Sequence, residues 1–167
     1  MSTIAETKIE ADPSVPIIRI TREFAGTPEQ LFRAHTDPKL FAQWIGPSSL
    51  DTRIDEWDVR SGGSWRFVST RDGEEHAFRG CFHEVRPDRI VQTFTYEGDP
   101  DGVALETLWF TDLGNGRTQL RTQSLVDSFA SRVTMSRLVG SASAAKIRDS
   151  SSAAIDTSPR PVFQPIG

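Results

Sequence analysis

Cysteine and histidine are nearly missing from this sequence of 167 residues, which contains one cysteine and three histidines. The single thiol, Cys81, cannot close an internal disulfide, so a disulfide-stapled secreted fold is excluded and a reducing compartment is expected. A protein zinc site takes three or four side-chain ligands, and the sequence offers no cluster of that size. We therefore predict neither a metal nor a cofactor.

Long hydrophobic runs and an excess of positive charge are also missing. No apolar run approaches the roughly 18 residues that a membrane-spanning helix needs. The net charge of -4 and the pI near 5.4 argue against a nucleic-acid partner held by phosphate contacts. The first residues are polar and acidic and do not resemble a signal peptide, so a cytoplasmic location is expected.

The first third of the chain shows one strand followed by two helix starts. Residues 17–24 alternate between apolar and polar side chains, which predicts a half-buried strand. Thr27 and Gln30 have the spacing of a helix capping box, and Asp37 before a proline repeats the start signal. The Gly-Pro pair at residues 46–47 ends the second short helix.

The chain from residue 51 to about residue 126 reads as six strands joined by short turns, which predicts an antiparallel meander. The glycines at 62–63 and 114–116 lie between strands and lack the spacing of phosphate-binding loops. We expect one domain at 16–148, preceded by a flexible arm at 1–15 and followed by a disordered tail at 149–167. Over 128–148 the pattern supports at most a weak helix, because glycine and serine are poor helix formers.

Five segments follow one another in the order of a known family. They are ITREFAGTPEQLFRAHTDP (20–38), WIGP (44–47), WDVRSGGSWRFV (57–68), FRGCFHEVRPDRIVQTF (78–94) and TDLGNGRTQLR (111–121). Together they resemble the bacterial homologues of the activator of heat-shock-protein ATPase, within the START-like (polyketide cyclase and lipid-transfer-like) superfamily. The resemblance implies an α+β helix-grip fold. In that fold an antiparallel sheet of about six or seven strands, with two short helices, curves around a long C-terminal helix and encloses a cavity.

The C-terminal segment departs from the family pattern. Family members usually close with a long amphipathic helix, whereas here the pattern stops near Arg132 and a segment rich in serine and alanine follows. Our hypothesis is a replaced or frame-shifted gene end at residues 132–167, which leaves the closing helix degenerate. An apolar sheet face without its cover favours aggregation or a homodimer contact.

Two sets of polar residues are candidates for chemistry. Cys81 and His83 lie two apart on a strand and suggest a metal fragment or a Cys-His nucleophile, but the simpler interpretation makes Cys81 buried filler and His83 a surface residue. Glu106 alternates with apolar residues, so it either points inward with a raised pKa, as a weak candidate for acid or base catalysis, or points outward. The second interpretation includes a Glu106 paired with an arginine, for which Arg66 and Arg79 are the candidates.

Aromatic side chains are the main signal, because a curved sheet lined by them forms the kind of apolar wall that binds small ligands. Trp44, at the last turn of the second helix, is the predicted entrance, with Leu40 and Phe41 as core anchors. The predicted wall consists of Trp65, Phe67, Phe78, Phe82, Phe94 and Phe110, with Glu106 orienting the ligand.

The function that these residues favour is binding of a small apolar or amphipathic molecule, such as a lipid-like or polyketide-like ligand, by a protein that is not an enzyme. A protein-interaction module that contacts a chaperone is the alternative that the family resemblance implies. A cyclase- or dehydratase-like enzyme is a second alternative, and it needs Glu106 or a histidine as its acid or base.

Overall fold

The structure is a computed structural model that describes residues 7–45 and 51–132. The strands are β1 (Lys8–Ala11), β2 (Ile17–Ala25), β3 (Asp51–Trp57), β4 (Ser64–Arg71), β5 (Glu74–Arg86), β6 (Arg89–Tyr96), β7 (Val103–Gly114) and β8 (Arg117–Leu125). The helices are α1 (Pro28–Thr36) and α2 (Pro38–Trp44). A further helical turn spans 129–132, and the rest of the predicted helix over 128–148 and the predicted tail after 148 lie outside the described residues.

All eight strands form one antiparallel sheet in the order β1-β2-β8-β7-β6-β5-β4-β3. From β3 to β8 each strand pairs with the next along the chain, which confirms the predicted meander, and β8 then pairs with β2. The α+β class, the antiparallel sheet and the two short helices are therefore as predicted. No helix in the described part of the chain is long and apolar enough to cross a membrane.

Strand β1 lies within residues 1–15, the segment that the sequence predicts to be a flexible arm. Its residues pair with β2 in a regular antiparallel register. The turn between the two strands is held by Asp12, whose carboxylate accepts hydrogen bonds from the backbone N–H and hydroxyl of Ser14 at 3.0 and 2.8 Å and from Arg19 at 3.0 Å. These bonds, first among them the one from the Ser14 backbone, hold the pKa of Asp12 well below its usual range. Within the predicted arm, Lys8–Ala11 therefore forms a strand paired with β2.

Both helices begin as the sequence predicts. Thr27 accepts a hydrogen bond from the Gln30 backbone at 3.3 Å, and the Gln30 side chain accepts one from the Thr27 backbone at 2.9 Å, which completes a capping box for α1. Asp37 caps α2 by accepting from the backbone of Lys39 and Leu40. Each cap supplies acceptors for backbone N–H groups that have no partner inside the helix, and this helps such short helices to form.

We call the sheet face that packs against α1 and α2 the inner face, and the opposite one the outer face. Leu31 of α1 and Phe41 of α2 join the inner-face side chains in one hydrophobic core. The other buried members of that core are Trp65, Phe67, Phe82, Ile90, Leu108 and Phe110. The helices therefore cover one part of the inner face.

Candidate functional site

All the predicted wall residues share the inner face. Antiparallel pairing places Trp65 opposite Gly80 and Phe67 opposite Phe78. Between β5 and β6, Phe82 is opposite Gln92. Between β6 and β7, Gln92 is opposite Glu106 and Phe94 is opposite Ala104. Between β7 and β8, Phe110 is opposite Leu120. Because directly paired residues point to the same side of a sheet, these pairings form one continuous surface.

Four of the wall aromatics are core residues in the structure. Trp65, Phe67, Phe82 and Phe110 keep only 3%, 2%, 3% and 4% of their surface exposed. Phe41 of α2 packs edge-on against Phe67 with ring centroids 5.3 Å apart. These side chains fill the helix-covered end of the inner face, and a contact between them and a ligand stays a prediction.

The remaining wall aromatics, Phe78 and Phe94, are only half-buried and continue into Tyr96. The Phe78 ring lies 5.1 Å from Phe67, 5.5 Å from Phe94 and 5.2 Å from Tyr96. The Tyr96 hydroxyl is in turn 3.0 Å from Nδ1 of His76. We call Phe78, Phe94 and Tyr96 the aromatic strip; sequence analysis missed Tyr96, although its spacing of two from Phe94 places it on the same face.

Glu106 points to the inner face, as one of the two alternatives predicted. Its carboxylate accepts one hydrogen bond at each oxygen, from Gln92 Nε2 and from Ser124 Oγ, both at 3.1 Å. Burial raises the pKa of Glu106, and the hydrogen bonds from Gln92 and Ser124 oppose that rise. The residue is half-buried and marks the polar point of an otherwise apolar surface.

The predicted pairing of Glu106 with an arginine is wrong. Arg66 lies on the outer face, where it donates two hydrogen bonds to Glu97 at 2.8 and 2.9 Å and pairs with Asp55. Arg79 is opposite Arg66 in the register of β4 and β5, so it shares that outer face. The strand alternation that turns Glu106 inward turns both arginines away from it.

Gly80 shapes the middle of the inner face because the Trp65 indole lies over it. A Cβ atom at Gly80 would stand 2.5 and 2.6 Å from Cζ2 and Cε2 of Trp65, and 2.0 Å from the Thr93 carbonyl oxygen. Only a residue without a side chain permits this approach. The indole Nε1 of Trp65 is buried and has no hydrogen-bond partner within the described ranges.

Trp44, the predicted entrance, joins the two helices. Its Nε1 donates to the Ala34 carbonyl of α1 at 2.7 Å. Its ring lies 5.1 Å from Phe41 and 4.5 Å from His35. The side chain is half-buried at the end of α2, and its role at an entrance stays a prediction.

Cys81 and His83 are both exposed, so the interpretation of Cys81 as buried filler is wrong. Cys81 precedes the inward-facing Phe82 and so lies on the outer face, beside a pocket of about 180 Å³ whose lining includes Arg66, Arg79 and Trp65. Within residues 7–45 and 51–132, no three His, Cys, Asp or Glu side chains are grouped to hold a metal ion.

Comparison with known proteins adds a family and a fold. The family model described as "Activator of Hsp90 ATPase homolog 1-like protein" matches residues 25–141, which carries the family likeness past Arg132, where the predicted break lies. No curated protein matches the chain.

Solved bacterial structures share the fold. Protein Ms6760 from Mycobacterium smegmatis is 23% identical with a TM-score of 0.74, over 89% of this chain and 97% of that one. A protein from Arthrobacter aurescens is 18% identical with a TM-score of 0.77, over 96% and 100%. Protein CV1439 from Chromobacterium violaceum is 30% identical with a TM-score of 0.61, over 67% and 81%. With the family model matching most of its length, the chain belongs to the family of Activator of Hsp90 ATPase homolog 1-like proteins, of START-like fold.

Proposed function

We propose that the inner face binds one small apolar or amphipathic molecule over the aromatic strip and Glu106. The observation that carries this proposal is a half-buried carboxyl group set beside half-buried aromatic rings on the same sheet face. Ligand sites in proteins combine an apolar wall with a few polar groups that fix orientation. The aromatic strip supplies the wall, and Glu106 supplies the polar group.

Burial of apolar surface would drive binding. Removing apolar area from water contributes roughly 25 cal/mol per Å², so a ligand that buries about 200 Å² gains about 5 kcal/mol before its loss of freedom is subtracted. A gain of that size corresponds to a dissociation constant of about 0.2 mM at best, so we expect weak, roughly millimolar binding for a ligand of that size. The polar contact with Glu106 would then fix the orientation of the ligand.

The test uses the neutral fluorescent probe N-phenyl-1-naphthylamine, titrated into the full chain. We expect a saturable rise in fluorescence at one site per chain. Phe94→Ala removes the ring of the aromatic strip that is diagonal to Glu106 across β6 and β7, and it should weaken binding by about tenfold, the equivalent of 1.4 kcal/mol. Phe94→Leu keeps apolar bulk and should lose less, so the proposal stays testable if the alanine variant does not fold.

Leu105→Ala is the matched control, since Leu105 is an apolar residue of β7 that is 44% exposed on the outer face. It should leave the affinity within about twofold of the wild type, because the site does not include it. A loss of binding in Leu105→Ala together with normal binding in a folded Phe94→Ala would place the site on the outer face and refute the proposal. A linear, non-saturating titration of the wild type would refute it as well.

A second candidate function is contact with a chaperone, favoured by the family description and by an apolar patch on the outer face. Val103, Leu105 and Leu125 are all exposed there, and Leu105 is directly opposite Leu125. Stimulation of the ATPase of a purified Hsp90-type chaperone by the wild type, and its loss in Leu105→Lys, would support this function. No stimulation at saturating protein would exclude it for that chaperone.

The enzymatic alternative and the homodimer contact stay predictions. A cyclase- or dehydratase-like reaction would use Glu106, the carboxyl group on the ligand side of the proposed site. Turnover of a bound ligand that is lost in Glu106→Gln would establish it.

A further inference from the structure

The hydrogen bonds around Glu106 leave part of its carboxylate unused. An ionised carboxylate has about four acceptor positions, and it has no donor of its own. Gln92 and Ser124 each fill one position, one at each oxygen. The positions that remain on this half-buried group call for further hydrogen-bond donors.

Among residues 7–45 and 51–132, the sheet neighbours of Glu106 on the inner face carry no charge. They are Ala104 and Leu108 on β7, Ile90, Gln92 and Phe94 on β6, and Thr122 and Ser124 on β8. Arg22 of β2 is also on this face, where it pairs with Leu120 of β8. Leu120 in turn pairs with Phe110 of β7, and Phe110 is four residues along the strand from Glu106. Four residues of strand span roughly 13 Å, so Arg22 is not a close partner of the carboxylate.

Once ionised, the Glu106 carboxylate lies among neutral sheet neighbours and has no counter-charge within the described part of the chain. Such a charge is much better tolerated when an opposite charge reaches it. An alkylammonium group has three donors, no acceptor and a positive charge, which matches the unfilled acceptor positions and the charge together. An alcohol offers one donor and no charge, and a carboxylate ligand brings a repelling charge.

The geometry points to a protonated amine on an apolar body as the ligand of the inner face, with the ammonium group at Glu106 and the apolar body on the aromatic strip. This inference rests on the proposed function, and it names the chemical class of the ligand. It also excludes simple fatty acids as preferred ligands, since their carboxylate would meet the carboxylate of Glu106.

The test compares three ligands of equal chain length: 1-aminodecane, 1-decanol and decanoate, each below its micelle concentration at pH 7.5. Each is titrated against the full chain loaded with N-phenyl-1-naphthylamine, and displacement of the probe gives the affinity. We expect the amine to bind about tenfold more tightly than the alcohol and the decanoate to bind most weakly, a difference that one charge pair in a partly buried site supports.

Glu106→Gln keeps the shape of the side chain and removes its charge. In this variant the amine should fall to within about twofold of the alcohol, and decanoate should gain affinity. Glu106→Asp retains the charge and should retain part of the preference, which keeps the test decisive if the glutamine variant does not fold. Glu29→Gln makes the same charge change at an exposed position of α1 and should leave the ranking unchanged.

The outcomes separate the inference from the proposed function. Equal displacement by all three ligands, or an amine preference that survives in Glu106→Gln, would overturn the inference while the inner face remained a ligand site. A loss of the amine preference in Glu29→Gln would trace it to net charge and would also overturn the inference. If the probe itself does not bind saturably, the proposed function fails, and the inference fails with it.

Discussion

Replacing Gly80 by alanine inserts a methyl group at the most crowded point of the inner face. The added Cβ would lie 2.0 Å from the Thr93 carbonyl oxygen and within 2.6 Å of two atoms of the Trp65 ring. Carbon atoms in proteins do not approach that closely, and the nearest obstacle is backbone in the adjacent strand β6. Either the Gly80 and Thr93 backbones separate or the Trp65 ring leaves its place over β5.

The expected loss of stability follows from that geometry. Overpacking a core by one methyl group costs about 1–3 kcal/mol, and a clash with backbone belongs at the upper end, near 3 kcal/mol. For a chain of this length, 1 kcal/mol lowers the melting temperature by about 2–4 °C, so Gly80→Ala should melt about 6–12 °C below the wild type. Urea unfolding followed by far-UV circular dichroism gives the same free energy from the shift of the midpoint.

Gly26→Ala is the matched control. The nearest atoms to a Cβ there are the ends of the Leu31 and Gln30 side chains, at 3.2 and 3.3 Å, so these neighbours would need to give way by only a few tenths of an ångström. This variant should stay within about 1 kcal/mol of the wild type. If Gly80→Ala unfolds at the same urea concentration as Gly26→Ala, the close packing of Trp65 over Gly80 is wrong.

Three further predictions concern the helices and the acid. Thr27→Ala should lower the free energy of unfolding by about 1 kcal/mol by breaking the capping box with Gln30, and Thr27→Ser should restore it; equal melting temperatures for all three proteins would contradict this. Trp44→Phe keeps a ring but deprives the Ala34 carbonyl of its donor, which should cost about 1 kcal/mol in urea unfolding. The pKa of Glu106 in the folded protein is raised above its ordinary value of 4.5. Below pH 4.5 the residue is neutral in both the folded and the unfolded protein, and it does not lower the free energy of unfolding. As the pH rises through the folded pKa, the half-buried carboxyl group ionises and the free energy of unfolding falls. Glu106→Gln should therefore gain stability relative to the wild type as the pH rises above 4.5, and a constant difference would contradict the raised pKa.

Strand alternation predicts the faces of the sheet well, because the period of two is a local property of the chain. It places Trp65, Phe67, Phe78 and Phe82 on one side, as the structure does, and it turns Glu106 to the same side. The same rule puts the residue before Phe82 on the outer face. The expectation of a buried Cys81 was thus avoidable from the sequence.

The remaining features depend on contacts between distant parts of the chain. Which aromatics become core is decided by α1 and α2, which cover Phe67 and Phe110 and leave Phe94 half-buried. The partners of Glu106 follow from the register of β6 and β8 against β7, which no local pattern encodes. The strand β1 is only four residues long, so the alternation of polar and apolar residues in KIEA is too short to reveal it, and all four residues are exposed.

The most direct test of ligand binding on the inner face is an NMR titration of the isotope-labelled full chain with 1-aminodecane. The Gln92 side-chain amide, which donates to Glu106, and the Ala104 methyl group report on the inner face, and the Leu105 methyl groups report on the outer face. We predict saturating shifts at Gln92 and Ala104 with little change at Leu105. Saturating shifts confined to Leu105 and its outer-face neighbours, or shifts that grow linearly at every site, would contradict the proposed ligand site.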